Sequence, residues 1–438
     1  MTCNPSLLTP INADTAAIVV GGGRSGQAAA RLLRRLGASV RLLEKRPETL
    51  PSEFTAWAES ENVEILGGEH KTEYFRDADI LIPSPGAAVS MIRPLLTPGE
   101  EPEIMAETEL AWRQLEGEPV LAVTGTSGKT TTTSMCAAML EAQGLDVFLG
   151  GNIGTPLSEY VLARAAGRPR ADVLALELSS FQLQTCSTLK PRVAVLLNIS
   201  ANHLDYHKDM KEYIEAKMRL FRCQDTTCLA VFGPGLRDLP ERMNVKARIS
   251  YFASDSTRFP DMQLIGPHNH ANAEAAWQVC KEFGVTPEHA RKAMQAFKAL
   301  PHRLERIAES GGVLYVNDSK CTTVEALKVA LASFERPVLL LAGGRFKGGD
   351  LNALKPMLKK HVKAVGLYGA SREIFEPAWK DILPVSWDET LRSALARLRG
   401  LARPGDVVLL APATSSYDQY KNYLERGDDF RRAVTGQD

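Results

Sequence analysis

The sequence lacks the features that mark membrane, secreted and nucleic-acid-binding proteins. Lysine plus arginine and aspartate plus glutamate each total 52, so no bulk charge attracts nucleic acid or an anionic membrane. No apolar run approaches the roughly 20 residues that a membrane-spanning helix needs. The seven cysteines include one close pair, Cys223 and Cys228, with no neighbouring Cys/His cluster to complete a zinc site. The opening MTCNPSLLTPINAD resembles no secretory signal, and we expect a cytoplasmic protein without a membrane span or a nucleic-acid partner.

The length and the pattern of the 438 residues indicate several α/β domains. At roughly 150 residues per domain, about three are expected. Short β-rich apolar runs alternate with helical patterns almost throughout, which is typical of parallel sheets covered by helices. The pattern breaks at the acidic stretch 116–119 and again near Leu300. We therefore predict domains over residues 1–117, 118–299 and 300–438.

The strongest motif is a phosphate-binding loop between a predicted strand, VLAVTG (120–125), and a predicted helix. Its glycines let backbone N–H groups face phosphates, Lys129 can reach the β and γ phosphates, and the Thr130 hydroxyl can ligate Mg²⁺. Val123 stands where the first glycine of the full Walker pattern would be, so the loop is a variant. The predicted ATP contacts in the loop are Gly125, Thr126, Ser127, Gly128, Lys129, Thr130 and Thr131.

A second glycine motif, Gly21-x-Gly23-x-x-Gly26, follows the predicted strand AAIVV (16–20). With Glu44 at the end of the next predicted strand, it suits a pyrophosphate on a helix N-terminus and an acidic group on a ribose. Alone it favours a dinucleotide such as NAD, or only a tight turn. Two nucleotide motifs in one chain suggest an enzyme that consumes ATP and recognises a nucleotide-tagged substrate.

Two further polar residues follow predicted strands. Glu177 ends VLALE, and His203 comes after VAVLLNIS. Ligands of parallel α/β sheets gather at the carboxyl ends of strands, so both are expected near Thr130. Oxygen and imidazole ligands beside phosphates are consistent with Mg²⁺ or Mn²⁺, although each residue alone could be a structural carboxylate or a loop histidine.

Together with TGTSGKTTT, seven segments resemble the Mur ligases of peptidoglycan synthesis, in order and spacing: GGNIGTP (150–156), ELSSFQL (177–183), LNISANHLDYH (197–207), EAKMRLF (215–221), GPHNHANAEAA (266–276), LPHRLE (300–305) and NDSKCTT (317–323). The closing APATSSYDQYKNYLERGDDF (411–430) resembles the branch that adds D-glutamate. The resemblance implies a Rossmann-like N-terminal domain for the UDP part of the substrate, a P-loop-type central ATPase and a Rossmann-like C-terminal domain for ATP and the amino acid. It also implies an enzyme that joins D-glutamate to UDP-N-acetylmuramoyl-L-alanine through an acyl phosphate, with ADP and phosphate as products. We expect this enzyme to be a monomer.

The resemblance assigns roles by position. Lys129, His203, Lys217, Asp318 and Lys320 are implied in catalysis, and Lys217 matches a lysine that becomes carbamylated to serve a second Mg²⁺. The implied metal ligands are Thr130, Glu177, His203 and Lys217. The implied ATP contacts beyond the loop are Asn269, Asn272, Arg303 and Asp318. The implied substrate contacts are Arg24, Ser25, Glu44, Lys45, Arg46 and Gly86 for UDP, Asn152, Ser179 and His203 near the muramoyl and phosphate groups, and Thr322, Lys347, Ser416 and Tyr423 for D-glutamate.

The sequence departs from the family pattern at GGRFK (343–347), where an acidic GGxDK is common, and at Thr323 and Tyr423, where asparagine and phenylalanine are frequent. Three rival functions are a related ligase that adds another amino acid or glutamylates folate, a dinucleotide-dependent dehydrogenase and a noncatalytic nucleotide-binding regulator. The closing motif disfavours the first, and the absence of a DNPR motif disfavours addition of a diamino acid. A dehydrogenase would leave Lys129, Glu177 and His203 without a role, and the intact phosphate, metal and lysine positions disfavour a noncatalytic regulator.

Overall fold

A computed structural model describes residues 8–203 and 206–437. The first seven residues, which are the first half of the opening segment MTCNPSLLTPINAD, lie outside this range. So do residues 204 and 205 of the LNISANHLDYH motif.

The first sheet has five parallel strands in the order β3-β2-β1-β4-β5. Its strands are β1 Ala16–Val20, β2 Ser39–Glu44, β3 Glu64–Gly67, β4 Ile80–Pro83 and β5 Glu103–Ile104, and its helices are α1 Arg24–Arg35, α2 Ser52–Ser60, α3 Val89–Ile92 and α4 Glu107–Trp112. The buried face of α1 consists of Gly26 and small or branched apolar side chains, which lets the helix pack closely on the sheet.

The second sheet has six parallel strands in the order β11-β10-β9-β6-β8-β7. Its strands are β6 Val120–Thr124, β7 Val147–Gly151, β8 Val173–Glu177, β9 Val193–Leu196, β10 Leu229–Phe232 and β11 Arg248–Tyr251. The helices of this part of the chain are α5 Lys129–Ala142, α6 Leu157–Ala165, α7 Ser180–Leu183, α8 Met210–Met218, α9 Leu239–Arg242, α10 Pro267–Cys280 and α11 Pro287–Ala296. The central strands β6, β8 and β9 are buried along their whole length, as expected for strands covered on both faces.

The third sheet has the order β12-β13-β17-β14-β15-β16. Its strands are β12 Glu305–Ser310, β13 Val313–Asn317, β14 Val338–Gly343, β15 Val362–Tyr368, β16 Val385–Asp388 and β17 Val407–Leu410, and its helices are α12 Val324–Leu331, α13 Lys355–His361, α14 Arg372–Trp379, α15 Leu391–Leu401 and α16 Tyr423–Thr435. Five strands are parallel, but β12 runs antiparallel to β13. The expected all-parallel pattern is wrong here because Gly311 and Gly312, with φ of 57° and 74°, allow a two-residue hairpin turn.

The α/β fold class is thus confirmed, with three sheets along the chain. By packing, however, the described chain forms two compact units, one of residues up to 256 with 271–294, the other of 257–270 with 295 onward. The first two sheets share the first unit and one continuous apolar core, which runs from Ala17 to Ala247. Helix α4 joins them, because the buried carboxylate of Glu109 accepts hydrogen bonds from Ser187 and Thr188.

Within the described residues, every helix is too short or too polar to cross a membrane.

Candidate active site

The phosphate-binding loop lies where the second sheet changes direction. Strand β6 has β8 on one side and β9 on the other, so the loops after these three strands meet at one edge of the sheet. Such a switch point is where open α/β sheets bind ligands. It brings the loop 125–128, the end of β8 at Glu177 and the segment after β9 to one place, as the sequence predicted.

The loop itself has the predicted strand–loop–helix geometry. Gly128 precedes α5 with a left-handed φ of 83°, and Lys129, Thr130 and Thr131 form the first turn of the helix. The Lys129 ammonium donates to the carbonyl oxygens of Gly125 and Thr126, both at 3.0 Å. The Lys129 ammonium thus lies against the backbone of the loop. A bound phosphate could take the place of the two carbonyl oxygens as its hydrogen-bond acceptor.

The segment after β9 holds the loop from the other side. The Ser127 N–H donates to Asn198 Oδ1 at 2.9 Å, and Asn198 Nδ2 donates back to the Ser127 carbonyl oxygen at 3.1 Å. The Thr126 hydroxyl lies 3.0 Å from the hydroxyl of Tyr213 on α8. Asn198 and Tyr213 were not singled out from the sequence, although both lie in or beside recognised segments.

Lys217 is buried, with a relative exposure of 1%. Its amino group donates to the Gly125 carbonyl oxygen at 2.8 Å and lies 4.7 Å from the centre of the Tyr213 ring. Burial, together with the smaller effect of the Lys129 cation, lowers the pKa of Lys217 to about 6, while Glu177 opposes the shift. The side chain therefore exists largely as a neutral amine at neutral pH.

Glu177 ends β8 as a buried carboxylate. Its Oε1 accepts from Asn152 Nδ2 at 2.8 Å, and the Asn152 N–H donates to the Glu177 backbone carbonyl. Its Oε2 is buried without a hydrogen-bond partner. Burying a carboxylate oxygen without a donor costs free energy unless a cation or a ligand contacts it. Oε2 of Glu177 therefore has lone pairs available to coordinate a metal ion.

His203 and Ser179 both have partners within the protein. His203 has a left-handed φ of 56°, and its ring meets Phe181 edge-on at 4.8 Å. Ser179 caps α7, and its hydroxyl and backbone N–H are both bonded to Gln182. Among the described residues, no group of three or more His, Cys, Asp and Glu side chains gathers as a metal site. The predicted metal set contains only two such residues, Glu177 and His203.

Asn269 and Asn272 lie one turn apart on α10, which places both on one helix face. Asn269 Nδ2 donates to the Ile265 carbonyl oxygen at 2.8 Å. Asn272 Oδ1 lies so close to Gly128 that a β-carbon there would approach it to 2.6 Å. Asn272 thus packs directly on the phosphate loop.

In the second unit, the predicted amino-acid residues follow three adjacent strands. Thr322 follows β13, Lys347 follows β14, and Ser416 and Tyr423 follow β17, whose neighbours are β13 and β14. Lys320 Nζ lies 3.9 Å from the centre of the Tyr423 ring, and Lys347 Nζ lies 5.8 Å from that of Tyr417. Parallel topology therefore brings these residues to one edge of the third sheet.

Asp318 directly follows β13, beside the junction at His302 and Arg303. Its carboxylate accepts from the Leu304 N–H at 3.3 Å. Burial raises the pKa of Asp318 to about 7, against the opposing effects of that hydrogen bond and of the Arg303 cation. Asp318 can therefore exchange a proton near neutral pH.

Arg426 is a residue that sequence reasoning missed. Its guanidinium is fully buried and donates to Ser319 Oγ, to the Ser319 carbonyl oxygen and to the Thr414 carbonyl oxygen, at 3.0, 2.8 and 3.1 Å. It thereby ties the loop that carries Asp318 and Lys320 to the loop that carries Ser416. The signal was an arginine inside the recognised closing motif, but its burial is not visible in the sequence.

A pocket of about 640 Å³ opens at the carboxyl edge of the first sheet. It is lined by Arg24, Ser25, Glu44, Lys45 and Gly86, all predicted UDP contacts, whereas Arg46 is not part of its lining. Glu44 holds the glycine loop, since its Oε2 accepts from the Gly22 N–H at 2.8 Å. Lys45 is paired with Glu69 at 2.9 Å. The size and the glycine loop suit a nucleotide.

Comparison with known proteins identifies the family. The Mur ligase middle domain matches residues 123–233, and the domain described as Mur ligase, glutamate ligase domain matches residues 302–414. A UDP-N-acetylmuramoylalanine--D-glutamate ligase of Nitratidesulfovibrio vulgaris (strain DP4) is 60% identical over 435 residues, 99% of each chain. The chain belongs to the Mur ligase family. This family of ATP-dependent ligases acts in peptidoglycan synthesis, as the sequence predicted.

More distant relatives agree with this Mur ligase fold. A UDP-N-acetylmuramoylalanine--D-glutamate ligase of Salinibacter ruber is 39% identical over 459 residues, covering 96% of this chain and 97% of the relative. The structure of MurF ligase from Thermotoga maritima in complex with ADP aligns with a TM-score of 0.61 at 18% identity, over 91% of this chain and 96% of that one.

One comparison points elsewhere. An FAD binding domain matches residues 14–68. That range spans β1, α1, β2, α2 and β3, the β-α-β unit with its glycine loop that nucleotide-binding folds share. A match confined to this unit reflects the shared fold of the unit. It is no evidence that this Mur ligase has a redox function.

Proposed function

We propose that this Mur ligase joins D-glutamate to UDP-N-acetylmuramoyl-L-alanine with ATP, in the cytoplasm and as a monomer. The observation that carries the proposal is the full-length likeness to relatives named for that reaction. The domain boundaries at 117 and 299 and the individual site roles are part of the same proposal. The pocket of the first sheet would hold UDP, the loop after β6 the ATP phosphates, and the loops after β13, β14 and β17 the D-glutamate.

A carboxylate is a poor electrophile, so the reaction must activate it before an amine can attack. Transfer of the γ-phosphoryl group of ATP to the alanine carboxylate makes an acyl phosphate and releases ADP. The D-glutamate amine then attacks the carbonyl carbon, the C–N bond forms, the amine loses a proton, and phosphate leaves. Lys129 would stabilise the charge that develops on the phosphoryl oxygens.

The residues around the phosphate loop fit a divalent cation. Glu177 offers a buried, unpartnered carboxylate oxygen, and Thr130 offers a hydroxyl in the first turn of α5. Mg²⁺ or Mn²⁺ would be held by Thr130, Glu177 and His203. When bound, such an ion neutralises phosphate charge.

Lys217 suits the carbamate that the resemblance implies. Only a neutral amine attacks CO₂, and the lowered pKa supplies one at neutral pH. Carbamylation would convert the lysine into a carboxylate close to Gly125 and Glu177, giving a ligand for a second cation.

The test is release of phosphate from ATP with UDP-N-acetylmuramoyl-L-alanine and a panel of D-glutamate, L-glutamate, D-aspartate and a diamino acid. We expect release only with the sugar nucleotide and D-glutamate together, and none from Lys129→Ala. Release without D-glutamate, or faster release with another amino acid, would overturn the proposal. Tetrahydrofolate with L-glutamate serves as the substrate pair of the folate-glutamylating rival. Light scattering of the purified chain tests the monomer.

A further inference from the structure

His70 lines the nucleotide pocket of the first sheet, and neither the sequence motifs nor the proposed function assigns it a role. It lies in the segment after β3, between Gly67 and the helical turn Thr72–Phe75. Its ring meets Phe75 edge-on at 6.4 Å. The contact with the buried Phe75 holds the ring at the wall of the pocket.

The two ring nitrogens of His70 have different surroundings. Nδ1 is buried and has no hydrogen-bond partner. A buried N–H without an acceptor is rarer in proteins than a buried acceptor without a donor, so the proton is better placed on Nε2. This tautomer leaves Nε2–H as the polar group that the ring can present to the pocket.

The charged groups beside His70 favour the neutral ring. Burial lowers the pKa of His70, and the Lys45 cation lowers it further, while Glu69 and Glu44 act in the opposite direction. Lys45 and Glu69 are themselves paired. The ring therefore acts as a neutral donor at neutral pH.

The order of the strands places His70 at one end of a bound nucleotide. The glycine loop after β1 and the start of α1 suit a pyrophosphate, and Glu44 at the end of β2 suits a ribose. Strand β3 is the next strand beyond β2 in the sheet, so the segment with His70 follows Glu44 along the same edge. A nucleotide with its pyrophosphate at the glycine loop and its ribose at Glu44 would therefore have its base on the side of His70.

We infer that His70 is a specificity-determining residue for the nucleotide, donating its Nε2–H to a carbonyl oxygen of the pyrimidine base. The inference rests on the proposed function, because it takes the bound nucleotide to be UDP. Uracil carries two carbonyl acceptors at its ring edge, and either of them can accept a hydrogen bond from an imidazole N–H.

The test compares His70→Phe, which keeps an aromatic ring against Phe75, with His70→Gln, which keeps an N–H donor near the position of Nε2. For His70→Phe we expect the dissociation constant of UDP and the KM of the sugar nucleotide to rise about three- to ten-fold, the value of one neutral hydrogen bond. For kcat and the KM of ATP and D-glutamate we expect no change. His70→Gln should restore most of the affinity.

Ribose 5-phosphate, used as a competitive inhibitor, separates base recognition from a general loss of the pocket. Its inhibition constant should be equal in the wild type and in His70→Phe. Lys71→Gln, which alters an exposed neighbour outside the pocket lining, is the matched control and should bind UDP normally.

Unchanged UDP affinity in His70→Phe, with phosphate release intact in the wild type, would overturn this inference alone. An equal loss for UDP and ribose 5-phosphate, or a fall in kcat, would also overturn it. A wild type that binds no UDP and releases no phosphate with the sugar nucleotide would overturn the proposed function as well.

Discussion

The amino group of Lys217 and the carbonyl oxygen of Gly125 are joined by a 2.8 Å hydrogen bond between α8 and the phosphate-binding loop. The two residues are 92 positions apart in the chain. The bond gives the loop a buried amine at its base, close enough to Lys129 and Glu177 for their charges to influence it.

Replacement of Lys217 by alanine should lower the rate of phosphate release roughly 100-fold, because the loop loses both its hydrogen bond and the implied carbamate. Added formate or acetate should restore part of the rate by occupying the carbamate position. Lys217→Arg places a permanent cation at this position and cannot be carbamylated, so we expect it not to restore the rate. Lys211→Ala, an exposed lysine of the same helix, is the control and should be fully active. Full activity of unrescued Lys217→Ala would exclude the carbamate role.

Gly128→Ala should destabilise the phosphate loop by more than the cost of placing alanine in a left-handed backbone conformation. A non-glycine residue with this φ costs about 1–2 kcal/mol, and the new β-carbon would also approach Asn272 Oδ1 to 2.6 Å. Gly144→Ala is the matched control, since Gly144 has a φ of 94° just beyond the other end of α5 but has open space around it. We expect Gly128→Ala to lose more stability in urea and to raise the KM of ATP, whereas Gly144→Ala should lose only stability. Equal losses in both variants would show that the contact with Asn272 does not matter.

Glu107→Gln should become increasingly stabilising, relative to the wild type, as the pH rises. Burial raises the pKa of Glu107, although the Ser158 N–H donates to its Oε1 at 2.6 Å. Above about pH 4.5 the unfolded chain releases this proton and the folded chain keeps it, so the wild type loses stability until the folded carboxyl also ionises. The glutamine has no such proton and can still accept the hydrogen bond. Urea midpoints of both proteins from about pH 4.5 to pH 8 measure the difference. A constant difference across that range would contradict the raised pKa.

Arg426→Met should destabilise the chain by about 2–5 kcal/mol and lower activity, because two buried carbonyl oxygens and the Ser319 hydroxyl lose their donor. Methionine fills similar space, so the effect reports the hydrogen bonds more than a cavity. Arg432→Met is the control on the same helix, since Arg432 is exposed and only 3.7 Å from Asp429 in a surface pair. Thermal unfolding and the KM of D-glutamate give the two readouts. An Arg426→Met protein as stable as Arg432→Met would show that the tie between the two loops carries little energy.

The parts of this protein that the sequence predicted are those with a local signal. Strand β1, the glycine loop and α1 are adjacent in the sequence, and so are β6, the phosphate loop and α5. Position at the carboxyl end of a parallel strand was enough to group Glu177 with the loop, because topology alone makes such ends meet.

The parts that could not be predicted depend on burial created by distant residues. The burial of Lys217 and Arg426 has no signal in the sequence, because it comes from packing against Gly125 and Thr414. His70 carries no motif, because its place in the pocket follows from the pairing of β3 beside β2. Strand β12 was missed because its antiparallel pairing depends on a two-glycine turn rather than on its own alternation.

Because the first two sheets share one apolar core, the first sheet cannot be separated from the second without exposing part of that core. A fragment ending at residue 117 would leave α4 and the apolar side chains that it shares with the second sheet facing water, and Glu109 would lose Ser187 and Thr188. The nucleotide pocket and the phosphate loop should therefore melt in a single cooperative step, and shuffling of modules between relatives should succeed only when the first two sheets are exchanged as one piece.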